Sequence, residues 1–293
     1  MRARVWTYAV MIWAAALMSD QSMGGASVAQ AQQADRGDIA DPEDGAVVRG
    51  AYGNAYFSLR YPLLAGWTEG LKGPPPSFAG YYVLTTLNGD EDARASILLV
   101  AQDLFFAAKT AGDINAMARS LRDVQASTPG MTVDAGPTEL NIAGHSLIRV
   151  DYSGSGLYRV WLAVTRRCHV LSFNVTASTR EGADSAARHV IGALSAAPPD
   201  AAADPLCVKD YAIPANVVHR IDPSPVGPKF VRIPARIIIG TDGRVTHVHV
   251  ISGAPEQKRV IAEALRQWRF RPYSLAGTAT VVETGLEFEF KSD

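Results

Sequence analysis

Cysteine is nearly absent, with only Cys168 and Cys207 in 293 residues. Two thiols cannot complete a four-ligand structural zinc site, and neither lies in a C-x-x-C pair. Charge is also scarce, at 19% of residues, and 28 basic side chains balance 29 acidic ones to a net −1. That balance excludes the electrostatic footprint of a nucleic-acid binder. No internal repeat, coiled-coil heptad or long charge block occurs. Walker, HExxH and dinucleotide-binding motifs are missing as well, so no cofactor or metal is expected and the chain does not read as an enzyme. What remains is ordinary globular material, 47% hydrophobic, enough for one large or two small domains.

The N-terminus differs from the rest. Arg2 and Arg4 precede an apolar run over residues 5–18. As a helix it rises about 21 Å, short of a bilayer core of about 30 Å. Basic residues before a short apolar stretch describe a secretory signal, and Ala29-Gln30-Ala31 offers small residues for cleavage. Residues 1–31 are therefore read as a signal peptide and 32–49 as a disordered leader. Retention of the run as a membrane-associated anchor is the alternative. Either way the chain is placed in the periplasm or cell envelope. There, an even cysteine count favours a Cys168–Cys207 disulfide.

Residues 50–196 read as an α+β domain with an antiparallel sheet and two helices. Strands are expected over residues 56–61, 80–87, 95–103, 145–153, 157–164 and 168–177. Ile114, Met117, Ala118, Leu121 and Val124 share one helical face, with Asp113 placed to cap it. Ala183, Ala186, Ala187, Val190, Ile191 and Leu194 form a second stripe. Residues 197–229 form a linker and an irregular lead-in. The remaining segment, 230–293, reads as ββαβ. A strand runs to Ile239, Asp242-Gly243 turns the chain, and a second strand starts at Val245. Pro255 opens a helix that Pro272 closes off, and a last strand covers residues 280–290. In that strand Val282, Thr284, Leu286, Phe288 and Phe290 face one way, and Val281, Glu283, Glu287 and Glu289 the other. Pro234 lacks an N–H, so the first strand is expected to start or bulge there.

Three stretches of this last segment resemble the C-terminal domain of the TonB energy-transducing family. They are Asp242-Gly243-Arg244-Val245, Ile251-Ser252-Gly253-Ala254-Pro255 and Arg266-Gln267-Trp268-Arg269-Phe270-Arg271-Pro272. The resemblance implies a binding domain whose last strand pairs with an extended segment of an outer-membrane or other envelope protein. It also implies a role in TonB-type transmembrane transport. A transducer of that family has a full membrane anchor and a long proline-rich spacer. This chain has a 14-residue apolar run and a nine-residue linker, so the resemblance supports the binding fold better than force transduction. Over residues 50–196, Asn54-Ala55-Tyr56-Phe57-Ser58-Leu59-Arg60-Tyr61-Pro62 and Gly66-Trp67 are similar to PsbP-like folds.

The expected interaction surface is the outer side of the last strand, through Val281, Glu283, Gly285, Glu287 and Glu289, with Gly285 marking a close approach. His247 and His249 share a strand face without a third ligand and read as solvated. His169 reads as a satisfied histidine at a sheet margin, and Tyr81, Tyr82, Tyr158 and Trp161 as core. Gly144-His145-Ser146-Leu147-Ile148 misses the final glycine of a nucleophile elbow. The reading is a non-enzymatic envelope binding protein. The alternatives are a soluble periplasmic assembly factor that transmits no force, and a hydrolase in the first domain.

Overall fold

The computed structural model describes residues 39–290 except 71, 90–93, 108–112, 143, 197–203 and 228–229. The signal-peptide expectation and most of the linker fall outside those residues. Among the described residues no helix is long and apolar enough to cross a membrane.

Order begins earlier than expected. Ala46–Val48 (β1) pairs with Ala51–Asn54 (β2), which pairs with Leu59–Pro62 (β3). The strand expected over residues 56–61 is therefore interrupted. Asn54 Oδ1 accepts from Phe57 N–H at 3.0 Å and Ser58 adopts φ 49°, so Ala55 to Ser58 is a turn. Tyr56 and Phe57 are buried from that turn.

Next come Thr68–Glu69 (β4), Tyr81–Asn88 (β5), Ser96–Asp103 (β6), the helix Ile114–Ser127 (α1), Met131–Ile142 (β7), His145–Gly154 (β8), Leu157–Arg166 (β9) and His169–Ala177 (β10). They form an antiparallel sheet in the order β4-β5-β6-β10-β9-β8-β7. β7 was not expected, because Gly136 and Pro137 interrupt its pattern. It lies at the sheet's edge with register shifts between Val133 and Thr138, where a missing N–H is tolerated. Central β10 is apolar on both sides: Leu171, Phe173 and Val175 face one layer, Val170 the other. Burying a side chain such as Phe173 contributes about 1.5–3 kcal/mol.

The helix Arg180–Ala196 (α2) lays Ala183, Ala186, Ala187, Val190 and Leu194 on the Phe173 face, beside β3. α1 covers the opposite face, with Ala118 against the cluster of Ile148, Val150, Trp161 and Ala163. Its Asp113 cap accepts from Ala116 N–H at 2.6 Å.

Beyond α2 lie Leu206–Cys207 (β11), Val217–His219 (β12), Arg232–Ile239 (β13), Val245–Val250 (β14), Pro255–Leu265 (α3), Arg269–Phe270 (β15), Ser274–Leu275 (β16), Thr278–Ala279 (β17) and Val282–Glu289 (β18). The larger sheet here has the order β11-β18-β13-β14. Ile261, Leu265 and Trp268 cluster with Ile233, Ile237, Val282 and Phe288 of this sheet. The α+β class therefore holds. β13 continues through Pro234, because its carbonyl still accepts from Ile251 N–H at 3.0 Å and only the bond its own N–H would have donated is lost, next to the last β14 pair at Ala235↔Val250. The register shift falls between Ile238 and Ile239 instead.

The two sheets belong to one compact unit, residues 39–293. A disulfide joins Cys168, just before β10, to Cys207 in β11, with Cα atoms 5.6 Å apart. Arg167 and Cys168 form a two-residue hairpin turn, both with positive φ, 42° and 62°. Cys168 thus sits in the turn and not in the alternation of β10. Closing a 39-residue separation contributes about 4 kcal/mol on the chain-entropy account.

Candidate functional site

The even-numbered residues of β18 bond to β13. Phe290 N–H donates to Val231 O at 2.8 Å, and the register from Arg232↔Glu289 to Ile239↔Val282 carries that parity along the strand. Odd-numbered N–H and C=O groups therefore point to the opposite edge. β11 occupies the start of that edge: Leu206 N–H donates to Val281 O at 2.9 Å and Val208 N–H to Glu283 O at 3.0 Å. The pairing then stops. Among the described residues no strand pairs with this edge over residues 285–289.

Beside the open half runs a groove of about 590 Å³. Leu286, Phe288 and Trp268 line it, and Arg220, Asp222 and Pro223 of the lead-in supply its other wall. Trp268 holds that wall in place. Its Nε1–H donates to Ile221 O at 2.7 Å, and the Arg220 guanidinium lies 5.2 Å above its ring. Arg220 Nε in turn donates to Asp222 Oδ1 at 2.7 Å.

Behind the closed half of β18 lies a buried polar cluster. Arg236, on the β13 face away from Trp268, donates through Nη1 to Asp103 Oδ2 at 2.5 Å and through Nε to Glu283 Oε1 at 3.1 Å. Tyr56 O–H donates to the same Glu283 oxygen at 3.0 Å. Arg167 Nη2 stands 3.6 Å from Glu283 Oε2, and its guanidinium lies 4.1 Å over the Tyr56 ring. Asp103 Oδ1 also accepts from Phe105 N–H at 2.8 Å. Burial opposes the charged form of Arg236, but Asp103, with Glu283 and the tyrosines, holds its pKa well above the usual range. Burial pushes the Asp103 carboxyl up, against the charge and hydrogen bond of Arg236. His169 is wholly buried, and burial together with Arg236 holds it well below the usual imidazole value. Its Nδ1 faces Arg167 O at 2.6 Å, which assigns the ring proton to that nitrogen.

This arrangement corrects part of the expected surface. Glu283 is 2% exposed and belongs to the buried cluster, not to a solvent-facing row. A Cβ on Gly285 would lie 2.8 Å from Phe105 Cβ and from Phe106 Cζ. The close approach at Gly285 is thus made by the chain's own β6–α1 connection. Val281 already has its carbonyl occupied by β11. Glu287 and Glu289 remain exposed, and Glu287 forms an ion pair with Arg232. Alternation gave the face of each residue correctly, but not what covers it.

The Asp242-Gly243-Arg244-Val245 and Trp268-Arg269-Phe270 stretches meet in space. Phe270 N–H donates to Gly243 O at 2.8 Å. Gly243 has φ 79°, and a Cβ there would lie 2.0 Å from Phe270 O and 3.5 Å from Pro272 Cδ. Asp242 Oδ1 accepts from Arg244 N–H at 2.9 Å, closing the turn. These residues shape the sheet that carries the groove, and of them only Trp268 lines it.

The histidine expectations also change. The pair is not a free solvated face: the Nε2 atoms of His247, half-buried, and His249, buried, lie 3.0 Å from Asp41 Oδ1 and Glu43 Oε1. No metal-holding group of three such side chains occurs among the described residues. Asp41 stays below the usual carboxylate range, since His247, His249 and Lys258 outweigh its burial. Tyr82 and Trp161 are core as expected, while Tyr81 is exposed.

No family model matches the chain, and no curated protein matches it. Two solved structures are similar over about half of it. A Pseudomonas aeruginosa protein of unknown function, PA94, shares 19% identity over 53% of this chain and 95% of its own, with a TM-score of 0.30. The cyanobacterial PsbP of Synechocystis shares 12% identity over 55% of this chain and 94% of its own, with a TM-score of 0.32. Neither likeness bears on function.

Proposed function

We propose that this chain is a non-enzymatic cell-envelope binding protein that captures an extended segment of an outer-membrane or other envelope protein by adding it as a strand to β18. The observation that carries this reading is the edge over residues 285–289, unpaired among the described residues and flanked by the Trp268–Phe288 groove. Backbone pairing supplies affinity, and a groove beside the strand supplies side-chain selection. The disulfide fits an oxidising compartment. The TonB-like motifs support a place in TonB-type transport. The buried cluster, whose acids and bases are engaged with one another, favours binding over hydrolysis.

The test is amide hydrogen exchange of the full mature chain, titrated with extended peptides from envelope proteins that co-purify with it. Protection should appear at the odd residues from 285 to 289. Glu289→Pro removes an outward N–H while leaving the β13 bonds intact, and should abolish that protection. Protection confined to α3 or β14, with β18 silent, would refute strand addition.

A further inference from the structure

A second groove, of about 520 Å³, lies between β3 and the C-terminal half of α2, and shares no lining residue with the β18 groove. Its volume falls within the usual range for small-molecule sites. Arg60 from the strand and Arg188 from the helix both line it. Neither guanidinium has a carboxylate partner among the described residues, and the fold withholds the obvious ones. The residue opposite Arg60 across the ladder is Gly53, which has no side chain. One helical turn before Arg188 stands Asp184, an i,i+4 partner by spacing, but Arg149 engages it at 2.5 Å.

Beside the two cations, Ser58 and His189 are the polar lining residues, and Pro62, Gly192, Ala193 and Ala196 are the apolar ones. Gly192 lies inside a 17-residue helix, where glycine costs about 1 kcal/mol relative to alanine. A Cβ built there meets nothing within 4 Å. Close packing therefore does not require this glycine, and its effect is to leave the groove open. The walls are fixed to each other by His189, whose Nε2 lies 2.6 Å from Pro62 O and whose ring meets Tyr61 edge-on at 5.1 Å.

We infer that this groove binds a free amphiphile with one oxyanion head and an unbranched apolar tail, of the fatty-acid type. The head sits between the guanidiniums of Arg60 and Arg188, whose planar donor forks suit a carboxylate. The tail lies along Gly192, Ala193 and Ala196. Two cations at one concave groove match a single anionic head, whereas attraction to a membrane surface requires a larger basic cluster.

The experiment titrates the full mature chain with decanoate below its micelle concentration, followed by calorimetry and backbone NMR. Saturable binding with shifts at Arg60, Arg188 and residues 189–196 is expected. Acetate, inorganic phosphate and decanol, which each lack head or tail, should bind more weakly. Arg60→Gln with Arg188→Gln should weaken decanoate about tenfold or more. Gly192→Leu should block the tail and abolish binding, while Gly192→Ala retains it and raises the melting temperature, separating occlusion from misfolding. The inference is overturned by no saturable binding, by affinity unchanged in the double arginine variant, or by phosphate binding as tightly as decanoate. Binding only to phosphatidylglycerol vesicles would assign the patch to a membrane surface and overturn it as well.

Discussion

β18 has two halves with the same alternation and opposite fates. From Val282 to Gly285 its outer face is closed by Arg236, Phe105 and Phe106, and β11 takes its edge as far as Glu283. From Leu286 to Glu289 the edge is open and the glutamates on that face are exposed. An ion pair buried at one end and a free edge at the other are complementary: the first fixes the strand that the second presents. The contrast predicts that substitutions in the closed half act on stability and those in the open half act on binding.

The largest effect is expected at Arg236. Arg236→Ala leaves Asp103 and Glu283 buried without their shared cation, and should cost about 3–5 kcal/mol. Urea denaturation measures it. If a second change, Asp103→Asn, restores part of that loss, the coupling is between these two groups. A cost under about 1 kcal/mol would mean that the closed half is not held by the cluster.

Next is the disulfide. Cys207→Ser should lower stability by about 2–4 kcal/mol and loosen β11 first, since Leu206 and Cys207 give that strand only two paired residues. Hydrogen exchange should then rise at Leu206 and Val208 before it rises in β13. Equal loss of protection throughout would show that β11 is held by packing and not by the bond.

Acid provides a smaller and graded probe. His169 is held neutral by burial and by Arg236, while in the unfolded chain it titrates near 6.5. Below that pH the unfolded state binds a proton that the folded state does not. Stability therefore falls as pH falls, by about 1.4 kcal/mol per pH unit for this one group, until the folded pKa is reached. Asp103, Arg167, Arg236, His249, Tyr56 and Tyr82 surround the ring. His169→Gln should remove this slope between pH 6.5 and 5.5 in thermal melts. An unchanged slope would place the acid sensitivity elsewhere.

Much of this was legible in the sequence where one residue's neighbours in the chain determine its role. The α2 stripe, the Asp113 cap and the Asp242-Gly243 turn are of that kind. β7 was hidden because Pro137 argues against a strand unless the strand is known to lie at an edge. The cluster left one signal, Arg236 amid Ile233, Ile237, Ile238 and Ile239. A lone charge in an apolar strand demands a buried acid, and periodicity could not say that the acids were Asp103 and Glu283. Alternation assigns Glu283 to the correct face, but its cover comes from residues far off in the chain, Arg236 at 47 positions and Tyr56 at 227. The Arg60–Arg188 groove was not legible at all, because it depends on which carboxylates are already engaged.

The smallest effect is the sharpest test of the two halves. Glu283, Glu287 and Glu289 occupy one side of one strand, and the same replacement by Gln can be made at each. At Glu283 it removes a charge that accepts from Arg236 and Tyr56, so a loss well above 1 kcal/mol is expected. At Glu289, exposed and without a hydrogen bond of its own among the described residues, stability should change by less than about 0.5 kcal/mol. Glu287 should lie between, since its Arg232 pair is at the surface and such pairs contribute little. The order inverts for binding. If a captured segment carries basic residues opposite the open half, Glu289→Gln should weaken it most at low salt, and the difference should shrink as salt rises. Parallel urea titrations and peptide titrations of the three variants decide it. A stability loss at Glu289 comparable to that at Glu283 would show that both halves are built into the fold, and the open edge would lose its claim as a docking strand.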